Sequence, residues 1–599
     1  MALSISRASG VRRQIAARLR ASLSRLLPGL LLVLAFILPP LLAGGVGVAR
    51  AIDHERIKTP PALAQPLPAR PIHDPTKLTA VVVMGNAGTE SSDLMGPYEA
   101  LAASGRFNVY VAAPERTLAP LYPGDLAIVP HYSFSEYDAA FPAAPDLLVV
   151  PYIPNAATAD PAVLDWIRAK AGAGTIVLSI CGGSRVVADA GVLAGQTATS
   201  HHTILPIVLE THPEVTWVSG LRYVDSGQFI SSAGVTSGVD ATLYTLGRMF
   251  GRDVAVRTAQ TIGYPHLGFL DDPTWDVQPF SFVPGLPGLY RLQDDDIGLV
   301  LYDGVGELEV SSAIDTYPRA FDTAVHTIAP ERMVIHTRHG LTLVPHDDFL
   351  TAPVLDRLLV LGRAPSAELR ESVEAWTARR GGPAVETIHA GDAYLYDATL
   401  RDMARHQTNA IAIEAARVLE YPTRDLALNG PTVRLGLLLR PVALGLLGLA
   451  AALWLRRRPA VPSPLGGVAR FALHFAEMWI AMVAGMAAFH LAVGAHDHGA
   501  AKDATWLAYE LGMMVFMTLP MLAWMQVRGH SPRHGLEMAA GMLAPVVAID
   551  LLLGLGAATV LPWLQQADGP AMLLGMLAIM LLRVDHYAHR DPHRSPVVA

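Results

Sequence analysis

Cys181 is the only cysteine among 599 residues, and its neighbours give it the setting of a nucleophile. The apolar, β-branched run Thr175-Ile176-Val177-Leu178-Ser179-Ile180 leads into it, and Gly182 and Gly183 follow. A helical segment from Arg185 to Ala190 comes next. A strand, a sharp turn and a helix in this order make a nucleophile elbow, in which small neighbours let the chain reverse around a strained residue. A helix N-terminus behind the thiol is expected to lower its pKa, and the Gly182 N–H to serve an oxyanion. The competing reading is a buried, inert thiol acting as a small hydrophobe. Asp93 follows an earlier strand-like run, Val81-Val82-Val83-Met84. In a parallel sheet both residues would stand at the carboxyl ends of strands, where such folds place their sites. A carboxylic acid there can hydrogen-bond the sulfur and move a proton. Glu90 and Glu99 read as solvated loop and helix residues.

The segment that must position these residues is an internal repeat. Ala113-Pro114-Glu115-Arg116 recurs as Ala329-Pro330-Glu331-Arg332, and Leu126 to His131 recurs as Leu341 to His346. Asp146-Leu147-Leu148-Val149-Val150 recurs as Asp356-Arg357-Leu358-Leu359-Val360, followed by Trp166 and Trp376. Conserved order over about 90 residues marks a duplication. Each copy alternates short β-branched runs with amphipathic stretches, the pattern of an α/β fold with a helix-covered parallel sheet. In the second copy Glu309 falls where Asp93 was, and His389 falls where the nucleophile was. That copy therefore reads as a degenerate partner domain.

Residues 78–265 resemble the ThiJ/PfpI superfamily. The resemblance rests on the Asp93-to-Glu99 stretch, the Cys181 elbow, Ala188-Asp189-Ala190-Gly191-Val192-Leu193-Ala194-Gly195, Ala198-Thr199-Ser200-His201, and Ser232 to Asp240. It is strongest toward the branch found as sensory domains of AraC-type regulators and in isonitrile hydratases. It implies a flavodoxin-type fold like that of class I glutamine amidotransferases, a Cys181–Asp93 pair, a base or orienting histidine at His201, no required cofactor, a small-molecule substrate or ligand, and dimer-like packing, as a homo-oligomer or as an internal pseudo-dimer of the two copies. Gly182 departs from the isonitrile-hydratase pattern, where a hydroxyl residue commonly follows the cysteine. Two function classes follow: a cysteine-dependent hydrolase or hydratase, and a ligand or redox sensor.

Half of the residues are hydrophobic and only 16% are charged, which points to membrane segments joined to soluble sequence. A net charge of −8 with no basic stripe excludes a nucleic-acid partner from expectation. Residues 1–25 carry Arg12, Arg13, Arg18, Arg20 and Arg25 and precede an apolar run over 26–48, read as an uncleaved anchor. A proline-rich linker over 49–77 leads to the first copy, 78–290, and the second, 291–430. A helix over 435–455 ends at Arg456-Arg457-Arg458, and four apolar runs follow within 456–599. Arginines between them alternate in a way that predicts an all-α bundle of six spans in the cell membrane. Both ends would then be cytoplasmic and the soluble domains extracytoplasmic.

Thirteen of the 19 methionines lie beyond residue 470, many four apart. His474 and Glu477 share a helix face, and His490, His496 and His498 cluster at its far end, with Glu510 and Asp550 in later runs. Thioethers and imidazoles suit copper or another transition metal, which makes His474, His490, His496 and His498 candidate ligands. The alternative is that methionine fills a helix-bundle interior.

Overall fold

The computed structural model describes residues 32–54, 56–63, 66–331, 333–362, 365–383, 385–424, 426–457, 467–493, 504–528, 530–554, 568–584 and 587. Residues 50–438 form one compact unit, and residues 1–49 with 439–599 form another.

The larger unit is built on two parallel sheets. In the first, Phe107–Ala113, Leu78–Val83, Leu147–Val150, Ile176–Ser179 and Phe229–Ser232 lie side by side in that order, all parallel. Numbered along the chain the order is 2-1-3-4-5, the flavodoxin-like arrangement. Tyr132–Ser133 and the antiparallel Tyr223–Ser226 close the two edges. Apolar residues run unbroken through the central strands because both faces are covered. Val82, Val111, Val149 and Leu178 enter one core, and Val81, Val83, Tyr110, Leu148 and Val150 the other.

The second sheet repeats the first in shorter form. Its order is Asp347–Asp348, Thr323–Ala329, Asp295–Val300, Arg357–Val360, Val385–Thr387. The repeat extends to side chains. Trp166 stacks on Phe134 at 4.4 Å, and Trp376 stacks on Phe349 at 4.5 Å. Asp146 accepts from the Thr79 N–H, and Asp356 accepts from the Asp296 N–H.

A third, mixed sheet joins the copies. Leu126–Val129 pairs antiparallel with Thr342–Pro345, and Ile128 meets Leu343, its own counterpart in the repeat. A local two-fold axis therefore passes through this pair. The helices Ser91–Ala103 and Glu307–Thr316 pack against each other across it. Glu99 accepts from the Leu308 N–H at 2.6 Å and so caps the helix of the other copy. Ser92 donates to the Ser311 carbonyl. Glu99 is thus buried, contrary to its reading as a solvated helix residue, because the covering helix lies more than 200 residues away. Burial first, and then the nearby Glu307 charge, push Glu99 up to about 7.

In the smaller unit the helices are Gly467–Val493, Ala504–Val527, Pro532–Gly554 and Asp568–Leu582. Six membrane spans are not supported. Among the described residues only Leu32–His54 and Leu435–Trp454 are long and apolar enough to cross a membrane. The apolar stretches Phe471–Ala487, Gly512–Gln526 and Ala571–Leu582 described within these helices have between 10 and 17 residues. The methionine spacing marks packing. Met478, Met482, Met517, Met521, Met538, Met542, Met576 and Met580 fill one buried apolar cluster. His474 Nε2 lies 2.6 Å from His530 Nε2, so one ring donates to the other. The His490 side chain, His496 and His498 lie outside the described residues, as do the side chains of Glu510 and Asp550.

The Glu99 carboxyl gives a signed pH dependence. Between about 4.5 and 7 the folded chain holds a proton that the unfolded chain has released, so stability falls as pH rises through this window. Glu99→Gln keeps an acceptor for Leu308 and should flatten that part of the slope, as read by denaturant unfolding at pH 5, 6 and 7.

Candidate functional site

The elbow forms as its sequence suggests. Ile176–Ser179 ends, Cys181 turns the chain at φ 57°, and the helix Gly183–Asp189 departs. Such a φ costs a non-glycine residue about 1–3 kcal/mol. The turn is held from several sides. The Cys181 N–H donates to Ser232 Oγ, and the Cys181 carbonyl accepts from Ser184 and Ser200 hydroxyls. The glycines are required by close approach. A Cβ on Gly183 would stand 2.0 Å from the Val150 carbonyl oxygen, and one on Gly182 would meet the Tyr152 ring at 2.6 Å. That ring accounts for the absence of a hydroxyl residue after Cys181. In the second copy His389 adopts the same conformation, φ 66°, at the end of Val385–Thr387. The elbow strain is therefore a property of the duplicated fold, with or without a thiol.

The structure brings Asp93 to Cys181. Asp93 is fully buried in the first turn of Ser91–Ala103, and its Oδ2 accepts from the Tyr152 N–H at 3.1 Å. Oδ1 accepts no other hydrogen bond, and the Cys181 thiol interacts with this carboxyl. Glu90 caps the same helix by accepting from the Asp93 N–H at 2.6 Å. It is buried beside the site, which corrects its reading as a solvated loop residue. Asp315, from the other copy, adds a third carboxyl held by Arg319. Burial pushes Glu90 and Asp93 well above the usual carboxylate range, and Asp315 adds like-charge repulsion to both.

The thiol also departs from expectation. Cys181 is only 7% exposed, and burial pushes it up from its ordinary value, with Asp93, Glu90 and Glu420 adding repulsion. The Gly182 N–H works in the opposite direction and is outweighed. A short helix N-terminus does not offset the desolvation of a sulfur anion among carboxyl groups. The cluster therefore favours neutral, proton-bearing forms.

His201 serves another partner than the sulfur. Its Nε2 donates to the Val418 carbonyl at 2.8 Å and its Nδ1 meets the Thr203 hydroxyl at 2.7 Å. Burial lowers its pKa, which keeps the ring neutral. The Val418 bond reveals a group that the sequence did not announce. The segment Val418–Tyr421, from the end of the second copy, is pinned onto the first. Thr236 donates to the Leu419 and Glu420 carbonyls. Arg222, fully buried, donates to the Glu420 carbonyl, pairs with Asp240, and lies over the Phe269 and Trp275 rings. Glu420 has φ 49° and meets His202 Nδ1 at 2.9 Å. Burial opposes its charge, but His202 and His201 hold its carboxyl below the usual value. A cleft of about 110 Å³ opens here, lined by Thr199, Ser200, His202, Leu205, Ala233 and Glu420 among others. Cys181 is not among its lining residues.

Because Cys181 is the only thiol, its titration is readable in the intact chain. Alkylation by iodoacetamide should be slow at pH 7 and rise about tenfold per pH unit through pH 9, following the thiolate fraction. A rate plateau already reached at pH 6–7 would contradict the upward shift.

Residues 79–246 match the DJ-1/PfpI family. The isonitrile hydratase of Pseudomonas putida is 29% identical over 199 residues, 32% of this chain and 81% of that protein. The HTH-type transcriptional regulator CdhR of Pseudomonas aeruginosa is 32% identical over 100 residues. This chain spans 30% of that regulator's length and 17% of its own. Among solved structures, Drosophila melanogaster DJ-1beta is 21% identical, with a TM-score of 0.29, over 32% of this chain and all of the other. Within the first of its two repeats, therefore, this chain carries a DJ-1/PfpI domain, and Cys181 is the thiol at that domain's elbow.

Proposed function

We propose that the DJ-1/PfpI domain is a cysteine-dependent hydratase or hydrolase of a small electrophilic molecule. The Asp93 carboxyl set against the Cys181 thiol carries this reading. A neutral acid beside a protonated thiol suits a reaction in which sulfur bonds to carbon as a proton is delivered. With an isonitrile-type carbon, the S–C bond forms while the proton goes to the same carbon, giving a thioimidate. Water then adds to that carbon, the S–C bond breaks, the thiol regains its proton, and a formamide leaves. The Gly182 N–H, next to the sulfur, is placed to polarise a developing anion in esters or amides. The likeness to an isonitrile hydratase over four-fifths of that protein supports the class. The buried thiol restricts substrates to small ones.

A second reading is a ligand sensor. The observation that favours it is the Val418–Tyr421 strap on the site, a short way before the apolar helix Leu435–Trp454. In either reading we place the chain in a membrane, anchored by Leu32–His54 and Leu435–Trp454, with the domain on the extracytoplasmic side. The length of those helices and the arginine bias of the flanking segments support this.

Turnover on a panel of small isonitriles, nitriles and esters tests the choice. In the enzyme, Cys181→Ala should lower turnover by at least about 1,000-fold and Asp93→Asn by about 100-fold. Unchanged thermal unfolding of both variants would show that the fold is kept. A sensor would show no turnover in the unaltered chain and would keep its ligand affinity in Cys181→Ala.

A further inference from the structure

We propose that His201, His202 and Glu420 form a binding site for a divalent transition-metal ion of the zinc type. One ligating atom from each of the three lies within 4.8 Å of the others. Ligand atoms at about 2.0–2.2 Å from zinc stand somewhat closer than that, so a small rearrangement completes the set. Two imidazoles and one carboxylate leave a fourth position open, and here it faces the cleft of about 110 Å³ that His202 and Glu420 line.

The hydrogen bonds around two of the three residues leave an atom unpartnered. Glu420 is only 2% exposed, yet its Oε2 has no hydrogen-bond partner, and neither does the buried His202 Nε2. A buried carboxylate oxygen in this state calls for a partner, which an ion or a water can supply. His201 donates from Nε2 to the Val418 carbonyl, which leaves the lone pair on Nδ1, and a ring fixed through its other nitrogen is the usual arrangement for a ligating histidine. That lone pair now accepts from Thr203, so an ion would take the place of the Thr203 bond. The backbone of Glu420 is held at φ 49° by Arg222 and Thr236, which fixes where its carboxylate points.

Two other clusters have ligand-type composition and lack these features. In Glu99–Glu307–His339, Glu307 is used up by Thr337 and His339, and Glu99 by the Leu308 N–H. In Glu386–Asp402–His406, Arg357, Arg405 and Tyr317 already saturate Asp402. At His201–His202–Glu420 the ligands come from both repeats and two of them keep an unpartnered atom. An ion there would fasten the Val418–Tyr421 strap to the first copy, beside the cysteine elbow that Ser200 supports.

The test is metal titration of the purified full chain after chelator treatment, with Co²⁺ as an optical probe and Zn²⁺ as competitor. The expected result is one tightly bound Co²⁺ with ligand-field absorption, displaced by Zn²⁺. His202→Ala and Glu420→Gln should each weaken it by about 100-fold or more, whereas His474→Ala should leave it unchanged. Glu420→Gln keeps size and hydrogen bonding to His202, so it reports on the site even if the histidine variants fold poorly. Absence of bound metal would overturn the proposal. So would affinity that survives Glu420→Gln, or affinity that is lost in His474→Ala.

Discussion

Carboxyl groups buried at the N-termini of two paired helices are the constraint from which the rest of the larger unit follows. Glu90 caps Ser91–Ala103 within its own copy, while Glu99 reaches across to cap Glu307–Thr316. Asp315, the counterpart of Glu99 in the repeat, returns the approach from the other side. Glu90 and Glu99 each take an orphan helix N–H from water, and all three bring a carboxyl that water no longer solvates. The balance holds because the helix ends supply positive potential and because burial raises Glu90 and Glu99, which favours their protonated forms. The helix pairing is what buries these groups, and it joins the two copies.

The same arrangement shapes the chemistry. Asp93 sits one turn into a helix whose N-terminus is crowded with acid, and Cys181 faces that crowd from the neighbouring strand end. A thiolate is disfavoured there, and a shared proton is favoured. The elbow alone says little about catalysis, since His389 has the same strained backbone without a sulfur. What distinguishes the first copy is the set of groups that converge on its turn: the Asp93 carboxyl, the Ser232, Ser184 and Ser200 hydroxyls, and the Tyr152 ring over Gly182.

Much of this was legible in the chain. The strand–Cys181–Gly-Gly–helix pattern, the placing of Asp93 after the first strand, and the offset that pairs Asp93 with Glu309 and Cys181 with His389 all come from local spacing. Less legible were the residues whose surroundings come from far away. Glu90 and Glu99 look like ordinary surface acids until the second copy covers them. His201 looks like a partner of Cys181 until Val418, 217 residues later, takes its Nε2. Methionines four apart do not reveal which residues they meet, and the fold gathers them in one buried cluster.

By itself, the sequence determined the period of each element, the duplication, the single thiol and the turn that presents it. These depend on backbone geometry and on neighbours within a few residues, which spacing encodes directly. Only the tertiary structure decided which acids are buried, which way the thiol titrates, and that Glu420 closes on His202. Those properties depend on desolvation and on charges brought together across hundreds of residues. Local spacing has no term for either.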